Sequence, residues 1–255
     1  MGEPIHALSR PVHIISVGAF GNAVAAALKE LLPDVLQTGV DAQNQAYPAS
    51  WPIARVNILA SWRPVPALQQ LIDGISFAWK RPSITVVLNA PYLLIGPVVV
   101  PGISACYNCY ERRFLQHSAR QEVYRSLQAH YDQYPESGPQ GYLPSLVHIA
   151  ALRLAQNILQ LDEDASKIAG QIWHMNTLTR YTFTARVVGV HACPRCGLRR
   201  DEATRSYLDM QKELADIFYQ TGGNGLYQPV LEEPGAEALA MPARMSMNGH
   251  GGKTC

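Results

Sequence analysis

Two C-x-x-C pairs constrain this chain more than anything else in its 255 residues. Cys106 and Cys109 lie in PGISACYNCYERR, Cys193 and Cys196 lie in HACPRCG, and 83 residues separate Cys109 from Cys193. Each spacing lets two thiolates reach one metal ion from a tight turn. Two such pairs complete a tetrahedral site with no open position, which is the arrangement of structural rather than catalytic zinc. A zinc ribbon closes within about 15–20 residues between its pairs. The longer gap here means that the metal joins two distant parts of one domain. Two disulfides are the first alternative, but nothing in the sequence suggests secretion. A thioredoxin-like redox pair needs one C-x-x-C at a helix start, not two. Cys255, the last residue, falls in a stretch without structural periodicity.

Composition supplies further exclusions. A net charge of +1 gives no electrostatic reason for a nucleic acid or a membrane surface as partner. The opening Met1–Pro11 has no apolar run of the kind an export signal needs. The most apolar stretch, Ser83–Ile103, is broken by Asn89, Pro91, Pro97 and Pro101, so it fails as a membrane span. Thiolate ligands without an export signal place the expected location in the cytoplasm.

Read in order, the first half alternates strand and helix. Val12–Val17 is a short β-branched run followed by Gly18-Ala-Phe-Gly21 and a helix over Asn22–Leu32, with Val24, Leu28, Leu31 and Leu32 on its apolar side. This is the opening of a nucleotide-binding α/β fold. In the fingerprint G-x-G-x-x-G, Ser16 replaces the first glycine, while Gly18 and Gly21 keep the other two. A tight strand-to-helix turn without a ligand accounts for the same residues. A short strand near Val35–Gln37, strands at Val56–Ser61 and Ser83–Asn89, and a helix over Pro64–Lys80 follow. That helix should bury Leu68, Leu71, Ile72, Ile75 and Trp79. Tyr92–Val100 reads as a strand pair or a bent strand, broken at Gly96-Pro97.

Beyond the first cysteine pair, Tyr110–Ala129 reads as one polar helix and Tyr131–Gly141 as a solvated loop with some capacity to contact a partner. Leu143–Leu161 is an amphipathic helix with Ile149, Leu152, Leu154, Ile158 and Leu161 on its apolar side. Gln171–Met175 and Tyr181–Val188 read as two strands around a turn. The expected fold is therefore α/β: a mainly parallel, doubly wound, Rossmann-like sheet with helices on both faces and antiparallel strands near its C-terminal end. The expected divisions are an α/β zinc domain over 1–200, a helix within 201–221 (Glu202–Tyr219) and a flexible tail over 222–255. His13, His148 and His174 are expected to be packed rather than catalytic. His191 stands close enough to Cys193 to replace a ligand, although four cysteines already fill the site.

Strand, glycine turn and helix, then P-G-x-x-x-C-Y-x-C, a long helix and a closing C-x-x-C resemble the ThiF/MoeB activating-enzyme superfamily. Gly96–Cys109 (GPVVVPGISACYNC) is similar to one branch of it, the ThiF-like cyclodehydratase component of azole-containing peptide (bacteriocin) biosynthesis. The resemblance spans about Val12–Gly197. It implies a zinc-containing, non-catalytic subunit that docks a YcaO-type enzyme, presents a ribosomal precursor peptide and raises the partner's activity. It implies that the YcaO partner binds ATP and closes Cys, Ser or Thr side chains to azolines, often with a flavin dehydrogenase completing the rings. Open sheets of this superfamily often pair, so a homodimer is expected. The first strand begins near Val12, which leaves no room for the winged-helix leader-binding module of many members. Leader recognition is then expected from a separate protein or from the assembled complex.

Two other functions compete. An adenylating enzyme of ThiF/MoeB type would need a phosphate-cradling turn, basic residues and a carboxylate for magnesium. Asp41 stands where a ribose-binding acid could sit, and Asp41–Asn44 faintly resembles a segment of the activating enzymes, but no basic residue follows before Arg55. A zinc-stabilised oxidoreductase could use the same turn for a dinucleotide, but no acid/base constellation supports it.

Overall fold

The computed structural model describes residues 10–40, 47–191 and 193–197. Asp41–Asn44, the expected helix over Glu202–Tyr219, the expected tail over 222–255 and Cys255 lie outside the described residues.

Among the described residues seven strands form one sheet in the order β2-β1-β3-β4-β5-β6-β7. The strands β1 (Val12–Val17), β2 (Val35–Val40), β3 (Val56–Ser61) and β4 (Ser83–Asn89) run parallel. The strands β5 (Tyr92–Val99), β6 (Gln171–Asn176) and β7 (Thr182–Arg186) extend the sheet with antiparallel pairings. The buried runs VHIISV and VNILAS are central because both of their faces are covered, which is why they read as unbroken apolar stretches. Ile14 and Ile58 point to one face, where α1 (Gly18–Leu31) and α5 (Pro144–Ile168) build the main core with Phe20, Leu28, Leu154 and Ile158. Ile15 and Leu59 point to the other, against Ile72 of α2 (Pro66–Trp79). The doubly wound expectation holds.

The chain leaves β1 toward β2 on one side and then returns to β3 on the other. The C-terminal ends of β1 and β3 are therefore the switch point of the sheet, where ligands of open α/β folds bind. These two ends carry Gly18 and Trp62.

Several boundaries differ from the sequence reading. The glycine stretch is not a separate turn before the helix but the first turn of α1. β5 is one continuous strand through Gly96-Pro97. Gly96 is obligatory because a Cβ there would sit 2.4 Å from the Gln171 carbonyl oxygen of β6. The single polar helix is in fact two, α3 (Tyr107–His117) and α4 (Gln121–Gln133). Phe114 packs on Tyr124 across the break, with ring centroids 4.8 Å apart. Glu111 accepts from Gln128 of α4 at 2.9 Å. α5 runs on to Ile168, past the expected end, with non-helical geometry at Asp164.

The rotation of α2 is the largest difference. Ile72 is buried with Leu68 and Ile75 packed beside it, as expected, but Leu71 and Trp79 are exposed, and the buried face also carries Gln69, Asp73 and Ser76. An apolar-stripe reading puts the stripe inward, but this helix packs partly against polar turns. Leu152 and His148 of α5 and Leu31 of α1 are likewise on the outside. His148 is thus not the packed residue expected.

His13 is packed as expected. It is fully buried, with Nδ1 3.1 Å from Asn57 Oδ1 and Nε2 2.8 Å from Thr38 Oγ1. Burial lowers its pKa from the usual histidine value, partly offset by the bond to Asn57. The unfolded chain takes up this proton near pH 6.5, and the folded chain only at lower pH. Unfolded protein therefore binds more protons in that window. Stability should be full above about pH 6.5 and fall as pH drops toward the folded value. His174, whose pKa burial also lowers, adds to the same slope. Urea midpoints measured from pH 8 to pH 5 should show the decline, and a His13→Leu variant should show a shallower one.

Candidate metal centre and nucleotide-site turn

Four sulfurs from distant parts of the chain meet in one buried cluster. Cys106 precedes α3, Cys109 lies in its first turn, and Cys193 and Cys196 lie in the turn after β7. Sγ–Sγ separations are 3.7 Å for Cys106–Cys109, 3.6 Å for Cys106–Cys193 and 3.4 Å for Cys109–Cys196. All four sulfurs lie within 4.8 Å of one another. A tetrahedron with metal–sulfur bonds of about 2.3 Å has edges of about 3.8 Å, close to this set. A disulfide needs about 2.05 Å, and all four thiols are free. The cluster could hold a metal ion such as zinc.

The surroundings favour thiolates gathered on a cation. Burial pushes the Cys106 thiol well up and that of Cys196 up to about 11. Burial acts the same way on Cys193, but N–H groups of Cys196 and Arg195 donate to its sulfur and bring it down to about 6. Val190 N–H donates to Cys109 Sγ at 3.3 Å. Turns that aim N–H groups at sulfur stabilise negative charge there. A cation lowers all four thiols together, because a coordinating thiol is deprotonated outright. His191 is exposed and the cluster is complete without it.

Asp73 fastens both cysteine turns to α2, and sequence reasoning missed it. Its Oδ1 accepts the Tyr107 N–H at 2.9 Å, from inside the first C-x-x-C. Its Oδ2 accepts Arg195 Nη1 at 2.6 Å, from inside the second. Arg195 also donates to Gln70 Oε1 at 3.1 Å. The signal available was Asp73 as the lone acid of α2, together with an arginine between two ligands. The Asp73 side chain is 1% exposed and that of Arg195 30%. Breaking a buried pair costs about 3–5 kcal/mol, less where one partner reaches solvent. Arg195→Met should cost about 2–3 kcal/mol on that basis and speed metal loss to a chelator. The double variant with Asp73→Ala should be little worse than the poorer single one, because both remove the same interaction. Strictly additive urea midpoints would contradict this.

The second site is the turn at Gly18 and Gly21. Gly18 has φ +70°, and a Cβ on it would lie 2.1 Å from Trp62 Cδ1. A Cβ on Gly21 would lie 2.3 Å from the Ala60 carbonyl oxygen. The glycines let an indole and a strand, respectively, approach the start of α1. Trp62 is covered on its other side by Gly138, whose Cβ position is 3.0 Å from Trp62 Cζ3. Arg63 fixes the covering loop: Nη1 donates to the Pro64 carbonyl at 2.7 Å, and Nη2 to those of Tyr131 at 3.1 Å and Pro135 at 2.7 Å. Its guanidinium stacks over the Tyr131 ring at 4.4 Å. The loop is exposed over 132–136 and 138–141, as expected, while Tyr131 at its start is buried and Gly138 lies against Trp62 beside the switch point. Ser16 is knotted to the helix and to β2: its Oγ donates to Asn22 Oδ1 at 2.7 Å and accepts from Gln37 Nε2 at 2.9 Å.

No protein-family model matches the sequence, and no curated protein does. Solved structures do match. A heterocyclase in complex with substrate and cofactor aligns at 18% identity and TM-score 0.54, over 79% of this chain and 27% of its own. The heterocyclase TruD aligns at 20% identity and TM-score 0.55, over 76% of this chain and 28% of its own. MccB of E. coli with ATP aligns at 13% identity and TM-score 0.52, over 74% and 66%. The chain thus spans little more than a quarter of the length of the two heterocyclases. Among the described residues no helix is long and apolar enough to cross a membrane. The chain shares its fold with the two heterocyclases and with MccB, and its four cysteines gather into one cluster.

Proposed function

We propose that this chain is the non-catalytic scaffold and activator of an ATP-dependent cyclodehydratase. A YcaO-type partner binds ATP and carries out the ring closure. The chain docks that partner and helps to present a ribosomally made precursor peptide, whose Cys, Ser or Thr side chains become thiazolines or oxazolines. Cys106, Cys109, Cys193 and Cys196 hold a structural zinc that ties α3 and the turn after β7 to α2. The chain acts as a homodimer in the cytoplasm, and a flavin dehydrogenase completes the rings.

The observation that carries this reading is Trp62. Its ring lies against Gly18 at the switch point, beside the start of α1, the end of a helix that a phosphate approaches in nucleotide-binding folds. Arg63 beside it is 3% exposed and directs its guanidinium at backbone carbonyls rather than outward. The likeness to heterocyclases agrees with the reading at the level of fold. A second reading, adenylation of a peptide or sulfur-carrier C-terminus, has one observation in its favour: α1 has no side-chain cap at its N-terminus, which leaves N–H groups for an anion.

The test is reconstitution. A YcaO partner, precursor peptide and Mg-ATP should form azolines faster when this chain is added, seen by mass spectrometry as loss of one water per ring. An unchanged rate with a folded, zinc-loaded chain bound to the partner would sink the proposal.

A further inference from the structure

A groove of about 760 Å³ runs between α3 and the outer end of the sheet and reaches the rim of the metal cluster at Val187. Tyr110 and Phe114 of α3 form one wall. Ile172, Phe183 and Ala185 of β6 and β7 form the other, on the face of the sheet opposite Trp173, which packs with the α5 core. His174 stacks flat on Phe183, with centroids 4.6 Å apart, and stiffens that wall.

The groove lies beside an open strand edge. Asn176 N–H donates to the Tyr181 carbonyl and Val187 N–H to that of Gly170. Antiparallel pairing alternates, so residues 181, 183, 185 and 187 face β6, while Thr182, Thr184 and Arg186 turn their backbone groups outward. Among the described residues no strand pairs with that edge. A strand added there would send alternate side chains to the same face as Phe183 and Ala185, into the groove.

The charge of the groove is one-sided. Its lining includes Arg113, His117 and His174 and, among the described residues, no Asp or Glu; Arg186 also borders it, but alternation along β7 sends its side chain to the Trp173 face, toward α5. Neither arginine has a carboxylate partner among the described residues. Arg186 donates to the Lys167 carbonyl, and Arg113 donates to the Gly189 carbonyl and Gln116. Among the described residues Arg113 Nε is buried with no hydrogen-bond partner, a state that costs stability unless something supplies an acceptor.

We propose that β7 and this groove bind an extended peptide as an eighth strand. Apolar side chains at alternate positions enter beside Phe114, Phe183 and Ala185, and a carboxylate of the peptide meets Arg113. Given the proposed function, on which this identification rests, the natural occupant is an acidic stretch of the precursor peptide.

The test is fluorescence anisotropy of the full-length chain with a short labelled peptide whose groove-facing alternate positions carry Leu or Phe and one Asp, with Thr or Ser between them, and with a counterpart carrying Lys for that Asp. The acidic peptide should bind saturably and the lysine peptide should not. Thr184→Pro removes one outward N–H and no bond to β6, and Arg113→Gln removes the cation. Each should weaken binding about tenfold or more, with circular dichroism and zinc content unchanged. Equal binding of the two peptides, or indifference to both substitutions, overturns the proposal. So does a groove closed by a second copy, seen as a dimer that Phe183→Asp dissociates and the acidic peptide does not. Peptide binding without stimulation of a YcaO partner would sink the proposed function and leave the groove standing. Stimulation by a variant that no longer binds peptide would leave the proposed function standing and overturn the precursor as the occupant of the groove.

Discussion

Replacing Cys109 or Cys196 by Ser should leave the chain largely unfolded or insoluble, and the surviving protein should hold no zinc. The two cysteine turns come from opposite ends of an 83-residue excursion. Apart from Ala105, the buried residues of the small cluster that joins them are the cysteines themselves, with Phe77, Val187 and Val190 packed at its rim. There is too little apolar surface there to hold the turns by packing alone. Structural zinc contributes on the order of 10–16 kcal/mol of apparent binding free energy at neutral pH, more than the whole net stability of an ordinary domain. Removing one ligand also strands buried thiols whose pKa values burial raises. Elemental analysis should find a single zinc per chain in the wild type. Chelation should lower the melting temperature steeply, and zinc should restore it. A zinc-free chain with an unchanged melt would contradict the assignment.

The next largest effect is expected at Gly21. A Cβ there meets a backbone oxygen of β3 at 2.3 Å, and backbone in the middle of a sheet cannot move aside. Gly21→Val should cost at least about 3 kcal/mol, the upper end for overpacking a rigid site. Gly18→Ala combines the same difficulty with a left-handed backbone: φ is +70° and the Trp62 ring is in the way. The αL conformation alone costs a residue with a side chain about 1–2 kcal/mol. A Gly18→Ala, Trp62→Ala pair should therefore recover part of the steric loss and none of the backbone loss. Urea titration of the four proteins of that cycle reads the coupling directly. If Trp62→Ala gives no relief, the indole is not what the glycine accommodates.

The strands of the parallel half were legible because VHIISV, VNILAS and SITVVLN are buried on both faces and carry β-branched runs. The cysteines were legible because C-x-x-C is a local pattern whose partner pair repeats it. What escaped the sequence reading depends on partners distant in the chain. α2 turns Asp73 and Ser76 inward because Arg195 and two backbone groups meet them there, over one hundred positions away in the case of Arg195. The break between α3 and α4 carries no proline or glycine. Phe114 against Tyr124, and Glu111 with Gln128, fold the second helix back on the first. Trp62 follows a strand like any hydrophobic residue, and its place over Gly18 depends on a loop 76 residues further on, at Gly138. The glycine fingerprint was thus visible, but what approaches those glycines was not.

Binding of Mg-ATP to the isolated, zinc-loaded chain, followed by equilibrium dialysis, separates a scaffold from an adenylating enzyme most directly. With Trp62 seated on Gly18 and the loop at Gly138 over it, no saturable binding is expected at cellular ATP concentrations. Saturable binding by the isolated chain, with ATP–pyrophosphate exchange dependent on a peptide carboxylate, would contradict the account and make this protein an activating enzyme.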